Sequence, residues 1–139
     1  MSQENIETIR RLYEAFNRRD FDSVAQCLHP DCEASPGAVG PDSESGSRPL
    51  QGRAEVMQFL EDDQEMWKTE TVEIEEMIEG PDGAVIAVEL WRMRGRDEIE
   101  VDARCTDIYT FQDGLVVRVD GYLKTEEALE AAGLSKQPS

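Results

Sequence analysis

Up to Lys68 the apolar residues recur every three or four positions, and beyond it they recur every second position. A chain with that single change of period folds helices first and a sheet afterwards. A stripe at 3.6 residues buries one side of a helix, whereas strict alternation buries one face of a strand. Between Asn5 and Asn17 the first stripe is Ile6, Ile9, Leu12, Tyr13 and Phe16. The segment RRDFDSVAQCLHPD predicts a second, short helix, capped by Asp20 or Asp22, carrying Phe21, Val24, Ala25 and Leu28, and ended with the help of Pro30. A third helix is predicted from about Arg53 to Trp67, with Val56, Phe59, Leu60 and either Met66 or Trp67 on its inner side.

From Thr71 onward the alternation predicts strands at 71–78, 84–94, 98–111 and 115–123, separated by GPDG, GR and QDG. Turns that short join antiparallel neighbours. The closing TEEALEAAGL predicts a last helix, with Thr125 as cap, Glu126 and Glu127 at its positive end and Gly133 as the left-handed stop. No repeat or linker divides the chain, and 139 residues is the size of one domain. The expectation is a single α+β domain over 1–139.

Of the sixteen residues from Ala34 to Pro49, ten are Gly, Pro or Ser, so a mobile loop is expected over about 34–51, of the kind that forms a lid or a pocket mouth. With 14 Lys and Arg against 31 Asp and Glu, the formal charge is −17. That charge repels phosphate backbones and anionic lipid, so neither nucleic acid nor a membrane surface is an expected partner. Cys27, Cys32 and Cys105 have no C-x-x-C spacing and only His29 to help them, so neither a structural metal nor a disulfide framework is expected. The chain opens without a leader-like segment and has no apolar run of the roughly 20 residues needed to span a bilayer; a reduced, cytoplasmic setting is expected.

Asp107 interrupts the strand-forming run CTDIYTF, and on the odd-numbered face of that strand it is the lone charge among Ile99, Val101, Ala103, Cys105, Tyr109 and Phe111. A two-residue loop at Gly95 and Arg96 pairs Leu90 with Val101 and Ile86 with Cys105, which makes the apolar faces coincide. A three-residue loop at 112–114 sets Val119 opposite Asp107; a two-residue loop at Asp113 and Gly114 instead brings Val116, Arg118, Asp120 and Tyr122 to that face. The first register matches apolar with apolar and is preferred. A carboxylate on a buried face needs hydrogen bonds, a proton or a cavity. Asp107 is therefore either a structural residue held by backbone amides or a bulge, or a group lining a pocket.

FNRRDFD, LHPDCE, LQGRAEVMQFL, TDIYTFQDGLVVRVDGY and EALEAAGL, in this order, resemble the SnoaL-like branch of the nuclear transport factor 2-like superfamily. The resemblance spans nearly the whole chain. It implies a cone, in which a curved antiparallel sheet wraps the N-terminal helices around a central pocket, and a homodimer through the outer sheet face. The enzymes of this superfamily include polyketide cyclases, a ketosteroid isomerase and an epoxide hydrolase, which work without cofactors. On the isomerase pattern Asp107 takes the place of the neutral carboxylic acid beside the developing oxyanion. The general base falls at Ser35, the oxyanion tyrosine at about Leu12, and the hydrolase's last-strand carboxylate at about Gly121, so those three roles are missing here. Tyr13 points about 100° from Leu12 and replaces the tyrosine only after a shift of register.

These readings name Asp107, Tyr109 and Tyr13 as candidate catalytic groups and Phe16, Phe59, Trp67, Leu90, Cys105 and Val119 as ligand-binding residues, with no cofactor and no metal. His29 is read as bonding a helix end, Glu89 as part of a solvated outer face or dimer contact with Trp91 and Met93 as anchors, and Arg48 and Arg53 as solvated. The expected ligand is a small, largely apolar, oxygen-bearing molecule. Three functions stay open: cofactor-free acid–base isomerisation, cyclisation or hydrolysis; a non-catalytic binding or dimerisation module; and a protein-interaction module, which needs an exposed apolar patch on the outer sheet beyond the dimer contact.

Overall fold

A computed structural model of the protein describes residues 2–35 and 49–134. The expected loop at 34–51 falls mostly outside the described residues, as does Arg48; its described flanks are strand instead, at Ala34, Ser35, Leu50 and Gln51. Helix α1 (Ser2–Asn17) is followed by α2 (Phe21–Gln26), strands β1 (Leu28–Ser35) and β2 (Leu50–Gln51), α3 (Arg53–Glu65), strands β3 (Thr69–Glu79), β4 (Val85–Arg94), β5 (Glu100–Gln112) and β6 (Leu115–Tyr122), and α4 (Thr125–Ala131). The six strands form one sheet in the order β2-β1-β6-β5-β4-β3. β1 runs parallel to β6, so the sheet is mixed where an all-antiparallel one was expected. Curved and unclosed, it holds α1 and α3 on its concave side, and α+β cone is the correct class. No helix among the described residues is long and apolar enough to cross a membrane.

α1 buries the stripe read from the sequence, and polar side chains fasten both its ends to the sheet region. Asn5 Nδ2 donates to the Gly83 carbonyl at 2.8 Å. Asn17 donates to Val72 O at 2.9 Å and accepts from Val72 N at 2.8 Å. Two anchors about 18 Å apart along the axis, at 1.5 Å per residue, fix the rotation of the helix and so the direction of Tyr13. Asp20 caps α2, accepting from Ser23 N at 3.2 Å. Leu28, read as helical, begins β1, where Val116 N bonds Cys27 O at 2.9 Å.

The largest correction concerns β4 and β5. Their connection is Gly95–Ile99, closed by Gly95 N to Ile99 O at 2.9 Å and by the Asp97 carboxylate accepting from Ile99 N at 3.1 Å. Glu89 consequently pairs with Cys105 and Ala87 with Asp107. The offset from the expected register is odd, so every side chain of β4 changes face relative to β5. Leu90 turns to the outer face between Glu73 and Arg104, and Glu89, Trp91 and Met93 turn inward. The expectation failed because the first half of β4 is buried on both faces: α1 covers one, while α4 covers the other through Ala128 and Leu129 on Ile86 and Ile108. A doubly covered strand gives no alternation from which to read parity.

The β5–β6 turn combines parts of both expected registers. It is a two-residue turn, with Asp113 at φ 56° and Gly114 at φ 80°. A bulge between Thr110 and Phe111 then shifts the register, so that Tyr109 pairs with Val119 and Asp107 with Gly121. Val119 reaches the Asp107 face by this route, and Asp120 faces away, bonded by Arg118 at 2.9 Å. Thr125 is the first residue of α4 and not its cap; its hydroxyl meets that of Thr106 at 2.8 Å.

Candidate functional site

The concave side encloses a cavity of about 260 Å³. Its walls come from Leu12, Tyr13 and Phe16 of α1, Val56, Phe59, Leu60 and Asp63 of α3, Trp91 and Met93 of β4, Ala103, Cys105, Asp107 and Tyr109 of β5, and Val119 of β6. The wall is overwhelmingly apolar, and apart from Asp63 and Arg104 its polar groups are Tyr13, Cys105, Asp107 and Tyr109. Of the residues named from the sequence, Tyr13, Phe16, Phe59, Cys105, Asp107, Tyr109 and Val119 line this cavity. Leu90 does not, having turned to the outer face with the register of β4. Trp67 lies beyond the end of α3 beside Met66, Arg96 and Ile99, outside the cavity, because α3 stops at Glu65 before its stripe reaches that position.

Leu12 and Tyr13 both line the cavity. With Ile9 and Phe16 they complete an i, i+3, i+4, i+7 stripe, and two neighbouring positions of such a stripe straddle the inward direction. No register shift is needed for Tyr13 to enter. Its hydroxyl bonds Glu89 Oε2 and the Tyr109 hydroxyl, while the two rings meet edge to face at 6.1 Å and 79°. Glu89 is 0% exposed and forms the hub of the cluster. Its Oε1 accepts from Trp91 Nε1 at 2.8 Å and from Cys105 Sγ at 3.3 Å, and its Oε2 accepts from the Tyr109 hydroxyl at 3.4 Å. Tyr109 also reaches Asp107 Oδ2 at 3.5 Å. Phe16 supports the Trp91 ring edge to face at 5.4 Å.

Asp107 is half-buried, and the surface it keeps belongs to the cavity. It shares a carboxyl–carboxylate hydrogen bond with Glu89. Burial first, and then the negative charge of Asp107, hold the Glu89 carboxyl well above its ordinary range. Burial also pushes Asp107 up to about 6, against the downward pull of hydrogen bonds from Glu89 and Tyr109. The pair therefore holds one proton and one negative charge at neutral pH, with the proton on Glu89. Burial and the two carboxyls raise the Tyr109 hydroxyl too, so it remains a donor. The Cys105 thiol is driven far up by burial and by both acids, which leaves it un-ionised and a poor nucleophile.

Sequence reasoning missed Glu89. The available signal was a single acid inside the apolar run VIAVELW, a carboxylate that a doubly covered strand has to place in some polar cluster. His29 has its Nδ1 accepting from Asp31 N at 3.0 Å within β1, not at a helix end and not in the cavity. Arg53 donates to the Leu28 carbonyl at 3.4 Å. Ser35 and Gly121 supply no acid or base, as the resemblance implied. Glu89, Cys105 and Asp107 are the described residues that bring three ligand-type atoms within 4.8 Å of one another. A cation there would have to displace the shared proton and ionise a thiol that burial keeps neutral.

The profile of the SnoaL-like domain matches residues 9–119. The chain belongs to the SnoaL-like family. Solved structures agree in fold. An NTF2-like protein of unknown function from Burkholderia pseudomallei is 23% identical, with 93% of this chain and 97% of that chain covered and a TM-score of 0.74. The epoxide hydrolase/cyclase-like enzyme SalBIII, described for pyran ring formation in the polyether salinomycin, is 16% identical over 90% and 95%, with a TM-score of 0.74. A Mycobacterium tuberculosis protein in complex with estradiol-17beta-hemisuccinate is 13% identical over 88% and 95%, with a TM-score of 0.72. No curated protein matches the sequence. At these identities the SnoaL-like chain shares a fold with its neighbours, and its chemistry has to be argued from its own residues.

Proposed function

We propose that this SnoaL-like protein binds a small, largely apolar, oxygen-bearing molecule and catalyses a cofactor-free acid–base conversion of it. The single observation carrying this reading is the buried Glu89–Asp107 carboxyl pair beside the Tyr13 and Tyr109 hydroxyls, with Asp107 and both tyrosines lining an apolar cavity. Two acids whose environments hold them in different protonation states are the arrangement from which one fold draws both an acid and a base. Asp107, ionised and open to the cavity, takes a proton from the substrate. Tyr109, raised and protonated, donates a hydrogen bond to the oxygen on which charge develops. Glu89 sits behind them as a neutral acid and holds Asp107 and Tyr13 in place. For an enolisable carbonyl compound the proton moves from carbon to Asp107 and returns to a different carbon, and no atom is gained or lost. Similarity of fold to a pyran-forming enzyme and to a steroid-hemisuccinate complex agrees with a ligand of this size and polarity.

The test is turnover of a panel of polyketide, steroid and epoxide substrates by wild type, Asp107→Asn and Tyr109→Phe. Loss of a base or a positioned donor is expected to cost roughly 10²–10⁴-fold. Equal turnover by wild type and Asp107→Asn would remove Asp107 from the mechanism and the proposal with it.

A further inference from the structure

The face of β5 that floors the cavity continues beyond it. Ala103, Cys105 and Asp107 line the cavity at alternate positions, and Val101, two positions before Ala103, pairs across the sheet with Met93, itself a lining residue. Cross-strand partners share a face, so Val101 prolongs the cavity floor toward the β4–β5 turn. There it joins Ile99, Met66 and Trp67 along a groove between that turn and the end of α3. Cavity and groove are walled in succession by the same two regions, α3 with its C-terminal end and β5 with the turn before it.

The polar members of the groove are bonded to backbone. Arg96 donates to the Glu65 carbonyl at 2.9 Å, and the Asp97 carboxylate accepts from Ile99 N at 3.1 Å. What the groove leaves to solvent is Met66, 69% exposed, Ile99, 61%, and Val101, 39%. Five large apolar side chains are exposed among the described residues; these three line the groove, and a fourth, Leu123, lines the cavity. Exposed apolar residues scattered singly need no explanation, whereas a contiguous run of them marks a contact. Because the exposed residues gather at the cavity and its extension, the contact they point to is with the molecule that fills the cavity.

We propose that the groove receives the apolar tail of the molecule whose reacting oxygen function sits at Asp107, so that the substrate class of this pocket is a compound with an apolar chain longer than the cavity. This deepens the acid–base reading above and rests on it. Along β5, Ala103 lies four residues from Asp107, about 13 Å at the rise of a strand, and Val101 lies six, about 20 Å. A molecule shorter than the first span is held by the cavity alone, and one that exceeds the second reaches Val101, Met66 and Trp67. The two tryptophans of the chain divide between the compartments, Trp91 in the cavity and Trp67 in the groove.

Fluorescence titration of the full chain with a homologous series of methyl ketones, from hexyl to hexadecyl and each kept below its own self-association, tests this. Affinity is expected to keep rising past the length that fills the cavity, by about twofold per methylene against roughly fourfold for complete burial, because the groove covers one side of the chain. Trp67 emission, taken as the difference between wild type and Trp67→Phe, is expected to respond to the long ketones alone. In Ile99→Asp the rise beyond the cavity is expected to vanish. If affinity levels off at the length that fills the cavity, or Trp67 does not respond, or Ile99→Asp keeps the rise, the tail assignment is overturned while the acid–base pocket stands. If wild type sediments as a dimer that Ile99→Asp dissociates, and the long ketones gain nothing, the groove belongs to a second copy and the assignment falls likewise. If no ketone of any length binds, the pocket reading itself fails, and this inference with it. The wild-type series decides the matter even where a variant does not fold.

Discussion

A carboxyl enclosed like that of Glu89 must be neutralised by a proton or a cation, because its ion would lose its hydration without recompense. Its neighbours are two phenols, an indole, a thiol and a second carboxyl, none of them a cation, so burial among them favours the protonated form. Protonated Glu89 is nearly isosteric with glutamine. Glu89→Gln is therefore expected to change stability at pH 7 by less than about 1 kcal/mol, because Gln keeps an acceptor for Trp91 and a donor for Asp107, while the Tyr13 hydroxyl, which the amide nitrogen cannot accept from, still has the Tyr109 hydroxyl as a partner. Glu89→Ala leaves the Trp91 and Tyr13 donors unpaired beside a void and is expected to cost about 3 kcal/mol. Urea unfolding of the two variants measures the difference, and equal losses would show that Glu89 is ionised in the native state. Asp107 was visible in the sequence because its strand alternates; Glu89 was not, because its strand does not.

Elements position this cluster by different means. α1 is clamped by Asn5 and Asn17, so one helix face delivers Leu12, Tyr13 and Phe16 together. β5 and β6 depend on a turn with two successive left-handed residues, Asp113 and Gly114, followed by a bulge that brings Val119 beside Tyr109. A Cβ on Gly114 meets nothing within 4 Å, so Gly114→Ala tests backbone conformation alone. It is expected to cost about 1 kcal/mol, the penalty of a left-handed non-glycine residue, with a lower melting temperature and an unchanged denaturant slope. The QDG segment gave away the turn, but no local signal announced the bulge, which balances strand twist against the packing of Val119 into the cavity.

For the molecule as a whole, the buried acids make stability depend on pH. Asp107 is raised to about 6, Glu70 to about 9, and Glu89 lies well above its usual range. The unfolded chain gives up these protons near pH 4, whereas the folded chain keeps them, so over this window the native state binds more protons. Stability then falls as pH rises, by about 1.4 kcal/mol for each tenfold difference in proton affinity between the folded and the unfolded chain, less what solvent in the cavity screens. Mutual repulsion within a charge of −17 acts in the same direction. The melting temperature is expected to decline from pH 5 to pH 8, and Glu89→Gln, which has no proton to lose, is expected to decline less steeply. Calorimetry across that range checks both slopes; parallel curves would mean that Glu89 is not protonated at pH 5.

The sequence by itself determined the four helices and the strands β3 to β6 in their order, though not β1 and β2, together with the inward stripe of α1, the family resemblance and the unusual place of Asp107. Each of these follows from short-range periodicity or from a residue type set against its immediate neighbours. Tertiary structure alone decided which face of β4 looks into the cavity, where α4 lies, and that Glu89 is buried behind Asp107. Strand parity is fixed by what covers each face, and Ala128 and Leu129 of α4 cover Ile86 and Ile108 from twenty or more residues away in sequence. Proton sharing between two carboxyls likewise depends on register and enclosure, which no single segment of the chain contains.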